Sequence, residues 1–184
     1  MNKRGGAIFW ISAVLVLMLI VALFIYFALF KTNNSSVYSG QILKNPVFNL
    51  TDEQAVVAFD EGFVFYLLYS IKAYNLHNPP LSSNYPKIEI DVGGEIFSAT
   101  VKKGVISVSS GGILNKDIII KTTKEEAVKM MRDKGYVTKS FNDGLSAIEL
   151  IADKTTLFAK GYLNMYNELT GKSVTGNLIR MYTG

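Results

Sequence analysis

The 184-residue chain has no cysteine and a single histidine, His77. Disulfides, thiolate metal sites and cysteine nucleophiles are therefore excluded, as is any site built from several histidines. His77 follows a predicted helix end and precedes Asn78-Pro79-Pro80, a setting for capping carbonyls, not for holding a metal. The chain also lacks any block of Lys and Arg. Its net charge of +4 comes from 19 basic and 15 acidic residues, and its pI is about 9.1. Lys3, Arg4 and Lys31 account for most of that excess, since no acid lies in residues 1–31; from Thr32 onward 16 bases face 15 acids. A footprint for nucleic acid needs clustered bases, so no nucleic-acid partner is expected.

The common catalytic motifs are missing too. Gly171-Lys172-Ser173 is not a phosphate loop, because Tyr166 stands where the first glycine is required. Gly144-Leu145-Ser146-Ala147-Ile148 lacks the last glycine of a nucleophile elbow. The pairs Asp52-Glu53, Asp60-Glu61 and Glu125-Glu126 fall at helix starts or polar faces, where solvation and the helix dipole account for them. The reading is of a non-enzyme, with no catalytic residue, no metal and no cofactor.

What the chain does have is one long apolar run. Between Gly5 and Phe30 lie 26 residues without a charge, and from Ala7 to Phe30 only Ser12 is not apolar. This accounts for a mean hydropathy of +0.23 and is long enough to span a bilayer, which takes ~20 apolar residues. A cleaved secretory signal has a shorter apolar core and a small-residue cleavage site, and Ala28-Leu29-Phe30-Lys31 is a poor one. Residues 1–31 thus read as a single-pass transmembrane signal anchor. Basic residues before the run place the N-terminus in the cytoplasm and the C-terminal domain outside. Asn33-Asn34-Ser35, Asn34-Ser35-Ser36 and Asn49-Leu50-Thr51 match the glycosylation pattern and agree with that orientation. Lys3-Arg4-Gly5-Gly6-Ala7-Ile8 also resembles the class III leader of archaeal pilin-like proteins, which implies a head clipped before the apolar helix. Asn33-Asn34-Ser35-Ser36 then interrupts that helix.

Residues 32–50 read as a polar stalk and 51–171 as one α+β domain. Thr51-Asp52-Glu53-Gln54 has the form of a capping box, and the helix it opens is expected to run to about Leu76. Phe63–Tyr69 is apolar on every side, so this helix is buried. Ile88, Ile90 and Val92 alternate with Glu89 and Asp91, and Gly93-Gly94 supplies a hairpin turn to Phe97, Ala99 and Val101. Lys103-Gly104 and Gly111-Gly112 turn the chain again towards Val105–Ser109 and Asp117–Lys121, giving a four-strand antiparallel meander. Thr122 to Glu126 holds two overlapping capping boxes for a helix packing Ala127, Val128, Met130 and Met131. A short helical piece with Val137 and Phe141, a fifth strand at Ser146–Ile151 and a last helix from about Lys154 to Leu169 follow. In that helix Phe158, Gly161, Tyr162, Met165 and Leu169 share one stripe, with Lys160, Asn164 and Glu168 opposite. Gly171 ends it, and 172–184 is a C-terminal tail. The prediction is a transmembrane helix followed by a five-stranded, mainly antiparallel sheet with packed helices.

This order of elements resembles the sterol carrier protein 2 family. The likeness is carried by Phe97 to Val108, by Lys116 to Glu126 with its strand running into a capped helix, and by Ser140-Phe141-Asn142-Asp143-Gly144 ahead of the last strand and helix. It covers residues 87–166 and departs from the family at Asp133 to Val137 and Ala152 to Lys154. The resemblance implies an apolar cavity for a lipid-like ligand, lined by Phe63, Tyr66, Leu67, Phe158, Tyr162 and Met165. The expected partners are the lipid bilayer and an apolar ligand. The function expected is that of a membrane-tethered binding module, with a structural protein assembling through its apolar helix as the alternative.

Overall fold

Alternating apolar residues build a sheet with one dry face. The computed structural model describes residues 16–22, 36–37 and 44–171. Its strands are β1 (Ser36–Val37), β2 (Lys87–Val92), β3 (Glu95–Lys102), β4 (Val105–Ser110), β5 (Ile118–Thr122) and β6 (Ala147–Leu150). They form one six-stranded mixed sheet in the order β1-β4-β3-β2-β5-β6. Ile88, Ile90, Val92, Phe97, Ala99, Val101, Ile106, Val108, Ile118 and Ile120 line the inner face, all buried. The helices lie against it: α2 (Asp52–Val57), α3 (Glu61–Ser70), α4 (Lys124–Arg132), α5 (Tyr136–Asn142), α6 (Lys154–Ala159) and α7 (Tyr162–Thr170).

The chain divides into two compact units, residues 1–34 and 35–184. In the first, residues 16–22 form a helical segment (α1) whose Val16 to Val21 are exposed. No helix among the described residues is long and apolar enough to cross a membrane. Most of the predicted span at 7–30 and the whole tail at 172–184 lie outside the described residues.

Four expectations need correction. The stalk is shorter than predicted, because Ser36 and Val37 already pair with Val108 and Ser107 of β4. Val47 is buried, and the Asn45 amide donates to the Met131 carbonyl at 2.9 Å, so 44–50 is part of the domain. Arg132 clamps this segment, donating to the carbonyls of Val47 and Leu50 and to Asp52. The strands do not form a four-strand meander. β2, β3 and β4 do, but β5 returns alongside β2 and parallel to it, Ile88 opposite Ile118. The link from Gly111 to Asp117 crosses the outer face over Glu89, whose carboxylate accepts from Ile113 N and Lys116. Glu89 is thereby buried, and a Cβ on Gly112 would stand 3.0 Å from its Oε2.

The first helix breaks at Asp60, whose Oδ1 accepts from the N–H groups of Gly62 and Phe63 and starts α3 afresh. A Lys72 in the left-handed region then leads to a 3-10 turn at Ala73–Asn75. The last helix breaks at Gly161, with φ at +83°. A residue there turns through the left-handed region that glycine alone enters without steric cost. The caps at Thr51, Thr123 and Gly171 fall where the sequence predicts them.

Candidate functional site

Of the six residues predicted around a cavity, five come together. Phe63, Leu67, Tyr162 and Met165 are buried in the core and Tyr66 packs against it partly covered. Phe158 is 71% exposed. The break at Gly161 is the reason: it takes Phe158 off the stripe it would share with Tyr162 in a continuous helix. The four buried side chains leave almost none of their surface exposed. A ligand cavity of ~300 Å³ or more would leave its lining accessible, so these residues are closely packed here. A hollow of about 240 Å³ does lie at the surface, along the segment from Lys44 to Leu50.

The same break brings Lys160 inward. The sequence pattern puts it on a polar face, yet its side chain is fully buried. Its Nζ donates to Asp117 Oδ1 and Oδ2 at 2.8 and 2.9 Å, to Asn84 Oδ1 at 3.1 Å and to the Tyr85 carbonyl at 3.2 Å. Asp117 also accepts from Lys87 N at 2.7 Å and from the Tyr162 hydroxyl at 2.9 Å. Burial, then the Asp117 charge and hydrogen bond, push the Tyr162 phenol far up, so it stays a donor. The Asp117 main chain adds a bond to the Lys87 carbonyl and receives Ile151 N and Ala152 N. One aspartate thus ties β2, β5, the exit of β6, the loop before β2 and the α6–α7 corner. Asn84 reaches the surface, but every buried side-chain nitrogen and oxygen of the cluster has a partner, so the arrangement locks the fold. His77 belongs to this corner: its N–H donates to the Lys160 carbonyl and Nδ1 lies 3.2 Å from the Asn75 carbonyl, a capping contact as predicted.

A second buried network closes the other end of the sheet. Ser140 donates to Glu126 Oε2 at 3.0 Å, Ser146 lies 2.9 Å from Ser140, and Thr122 lies 2.8 Å from Ser146. Because the carboxylate can only accept, Ser140 gives its proton to Glu126 and receives from Ser146, while the Thr122 hydroxyl lies within reach of both Ser146 and the Thr123 carbonyl. Burial raises the Glu126 carboxyl, but hydrogen bonds from Lys129, Ser140 and Tyr136 outweigh it and hold the group below its ordinary value of 4.5. Among the described residues no buried side-chain nitrogen or oxygen is unpartnered, and no group of three or more His, Asp or Glu is placed to hold a metal.

Large apolar side chains are exposed at several places, Phe48 and Val57 among them, and four of them gather around the Asp117 lock. Each of four segments meeting there carries a solvent-exposed apolar side chain. Leu81, on the loop before β2, is as exposed as a free side chain; Leu114, on the crossing link, is 85% exposed; Ile151, after β6, and Phe158, on α6, complete the set. Leu81 has φ at +60°, a costly backbone state for a bulky residue. No single-sequence signal marks this set, because its members belong to segments far apart in the chain and only the sheet topology brings them to one end.

No family model and no curated protein matches the sequence. Solved structures that share part of its chain path include the following three. A UbiJ-SCP2 ubiquinone synthesis protein aligns at a TM-score of 0.35 and 12% identity, over 58% of this chain and 89% of that one. A double mutant of the sec-alkyl sulfatase PisA1 aligns at 0.31 and 14%, over 55% of this chain and 16% of the enzyme. The stereoselective inverting sec-alkylsulfatase Pisa1 from Pseudomonas sp. aligns at 0.30 and 12%, over 59% and 15%.

Proposed function

We propose that the chain is a membrane-tethered, extracytoplasmic, non-enzymatic module that engages an apolar or lipid ligand. The observation that carries this is the uncharged apolar run to Phe30, followed after five residues by Ser36, the first residue of the sheet. The binding domain therefore begins directly after the anchor. The two buried networks are saturated and closed, which suits a scaffold better than a site for proton transfer. The closed interior and the exposed apolar residues at one end of the sheet favour contact at the surface over storage of a ligand inside.

Lipid extraction and mass spectrometry of the purified full chain test the ligand: a stoichiometric co-purifying lipid would return the ligand to the interior, and none is expected. Alkaline carbonate washing of membranes tests the tether, since an anchored chain stays in the pellet and release would overturn the reading. The Lys3-Arg4-Gly5-Gly6 head favours a second reading, assembly through a clipped pilin-like helix. N-terminal sequencing separates the two: a mature start at Gly6 or Ala7 means assembly, a retained Met1 the tethered module.

A further inference from the structure

We infer that the end of the sheet where β2 and β5 begin is a docking surface for an anionic lipid bilayer, with Leu81, Leu114, Ile151 and Phe158 inserting between headgroups and Lys87, Lys102 and Lys103 meeting their phosphates. This rests on the lipid reading of the proposed function and names its surface.

Three of the four segments are tied to the buried Asp117–Lys160 pair, and the fourth, at Leu114, is held by an exposed bond from Lys87. The backbone of Asp117 receives the N–H of Ile151, the Lys87 amine donates to the Leu114 carbonyl at 3.3 Å, and Lys160, two residues after Phe158, is clamped by Asp117 and by Asn84 of the loop that carries Leu81. The tips are thus exposed on a rigid base, not on a frayed one. Water gives no reason to keep them there, and Leu81 adds a left-handed backbone to a fully exposed leucine. Strain of this kind persists where the surrounding structure over-determines it, and it clusters at functional surfaces.

The charge at this end is basic. The turn between β3 and β4 exposes Lys102 and Lys103, and the Lys102 ammonium lies 5.3 Å over the ring of Tyr85. Lys87 opens β2 beside them. Of the acids here, Asp117 is paired with buried Lys160, while Asp153, which caps α6 by accepting from Thr156 N and Oγ1, keeps its charge against the three lysines. Residues 36–171 carry 14 bases and 15 acids, so this basic end is a local excess on a nearly neutral domain.

Isolated apolar tips fit a membrane better than a protein. A protein interface needs a contiguous packed patch of about 800 Å² per partner. Single large side chains flanked by lysines suit the boundary between headgroups and acyl chains, with each basic residue near an anionic surface adding attraction.

The test exploits the absence of cysteine. The full chain carrying Leu114→Cys or Phe158→Cys, each labelled with an environment-sensitive fluorophore, is reconstituted into phosphatidylcholine vesicles with and without phosphatidylglycerol. Nitroxide-bearing lipids are placed in those vesicles or in a second, added set. Both labels are expected to shift to the blue and be quenched when phosphatidylglycerol is present, while Glu95→Cys, at the opposite end, stays polar. Lys102→Gln with Lys103→Gln is expected to weaken the association about 25-fold, at about fivefold per lysine. Labels that stay polar and unquenched towards both sets of vesicles overturn the docking surface and leave the tips to a protein partner. A carbonate wash of the same vesicles reports separately on the tether: a chain that is retained but unquenched refutes the docking alone, and a chain that is released refutes the tethered reading.

Discussion

Lys160 and Phe158 are two residues apart and have opposite fates, which makes them a sharp test at the scale of single side chains. Removing one partner of a buried ion pair strands the other, so Lys160→Met should cost ~3–5 kcal/mol by leaving Asp117 charged and uncompensated. Phe63→Ala should cost ~3–5 kcal/mol as a core truncation, whereas Phe158→Ala should stay within ~0.5 kcal/mol because its ring lies in solvent. Urea titration with pulse proteolysis of the full chain in detergent measures all three, and a large loss for Phe158→Ala would contradict the exposed placement. Glu126 adds a pH dependence of definite sign. Its folded pKa lies below its ordinary value of 4.5, so it contributes stability at pH values above that point. That contribution is lost as the pH falls through the folded value. Glu126→Gln should therefore make the stability profile shallower below about pH 4.5, and an unchanged acid limb would contradict the assignment.

At the scale of elements, Gly161 and Gly144 separate backbone strain from crowding. Both have positive φ, +83° and +73°, but only at Gly161 would a Cβ meet a neighbour closely, His77 Cε1 at 3.2 Å. Alanine should cost ~1–2 kcal/mol at each for the left-handed backbone. Gly161→Ala should cost more than Gly144→Ala, and His77→Ala in the same chain should remove the difference. Equal losses would show that the His77 contact gives way freely. These positions also mark how far the sequence could be read. Strand limits and caps were legible because period-two alternation and Ser/Thr caps are local properties: Ile88, Ile90 and Val92 face inward, and Thr51 and Thr123 cap as expected. The partner of β5 was not legible, since alternation states which face is buried and not which strand lies alongside. Glu89 illustrates the limit. Its polar position in the alternation predicts exposure, yet the crossing link buries it with Lys116 as its ion-pair partner. The helix break at Gly161 was hidden for a related reason: the stripe of Phe158, Tyr162 and Met165 fits a continuous helix, and the pairing of Lys160 with Asp117, distant in sequence, leaves no local trace.

At the scale of the whole molecule, an apolar segment ending at Phe30 precedes a domain whose first described strand starts at Ser36. Residues 31–35 separate the end of the run from Ser36, the first paired residue among those described. The candidate ligand residues follow the same logic: Phe63, Leu67, Tyr162 and Met165 were legible as apolar and were found packed, while the exposed set at the sheet end depends on topology and could not be read locally. The orientation of the chain tests the central claim most directly. Protease is added to intact cells carrying the full chain with a C-terminal epitope tag, alongside a cytoplasmic control protein. The account predicts that the tag and residues 36–171 are degraded while the control survives. A tagged domain that stays whole until the membrane is opened would contradict it.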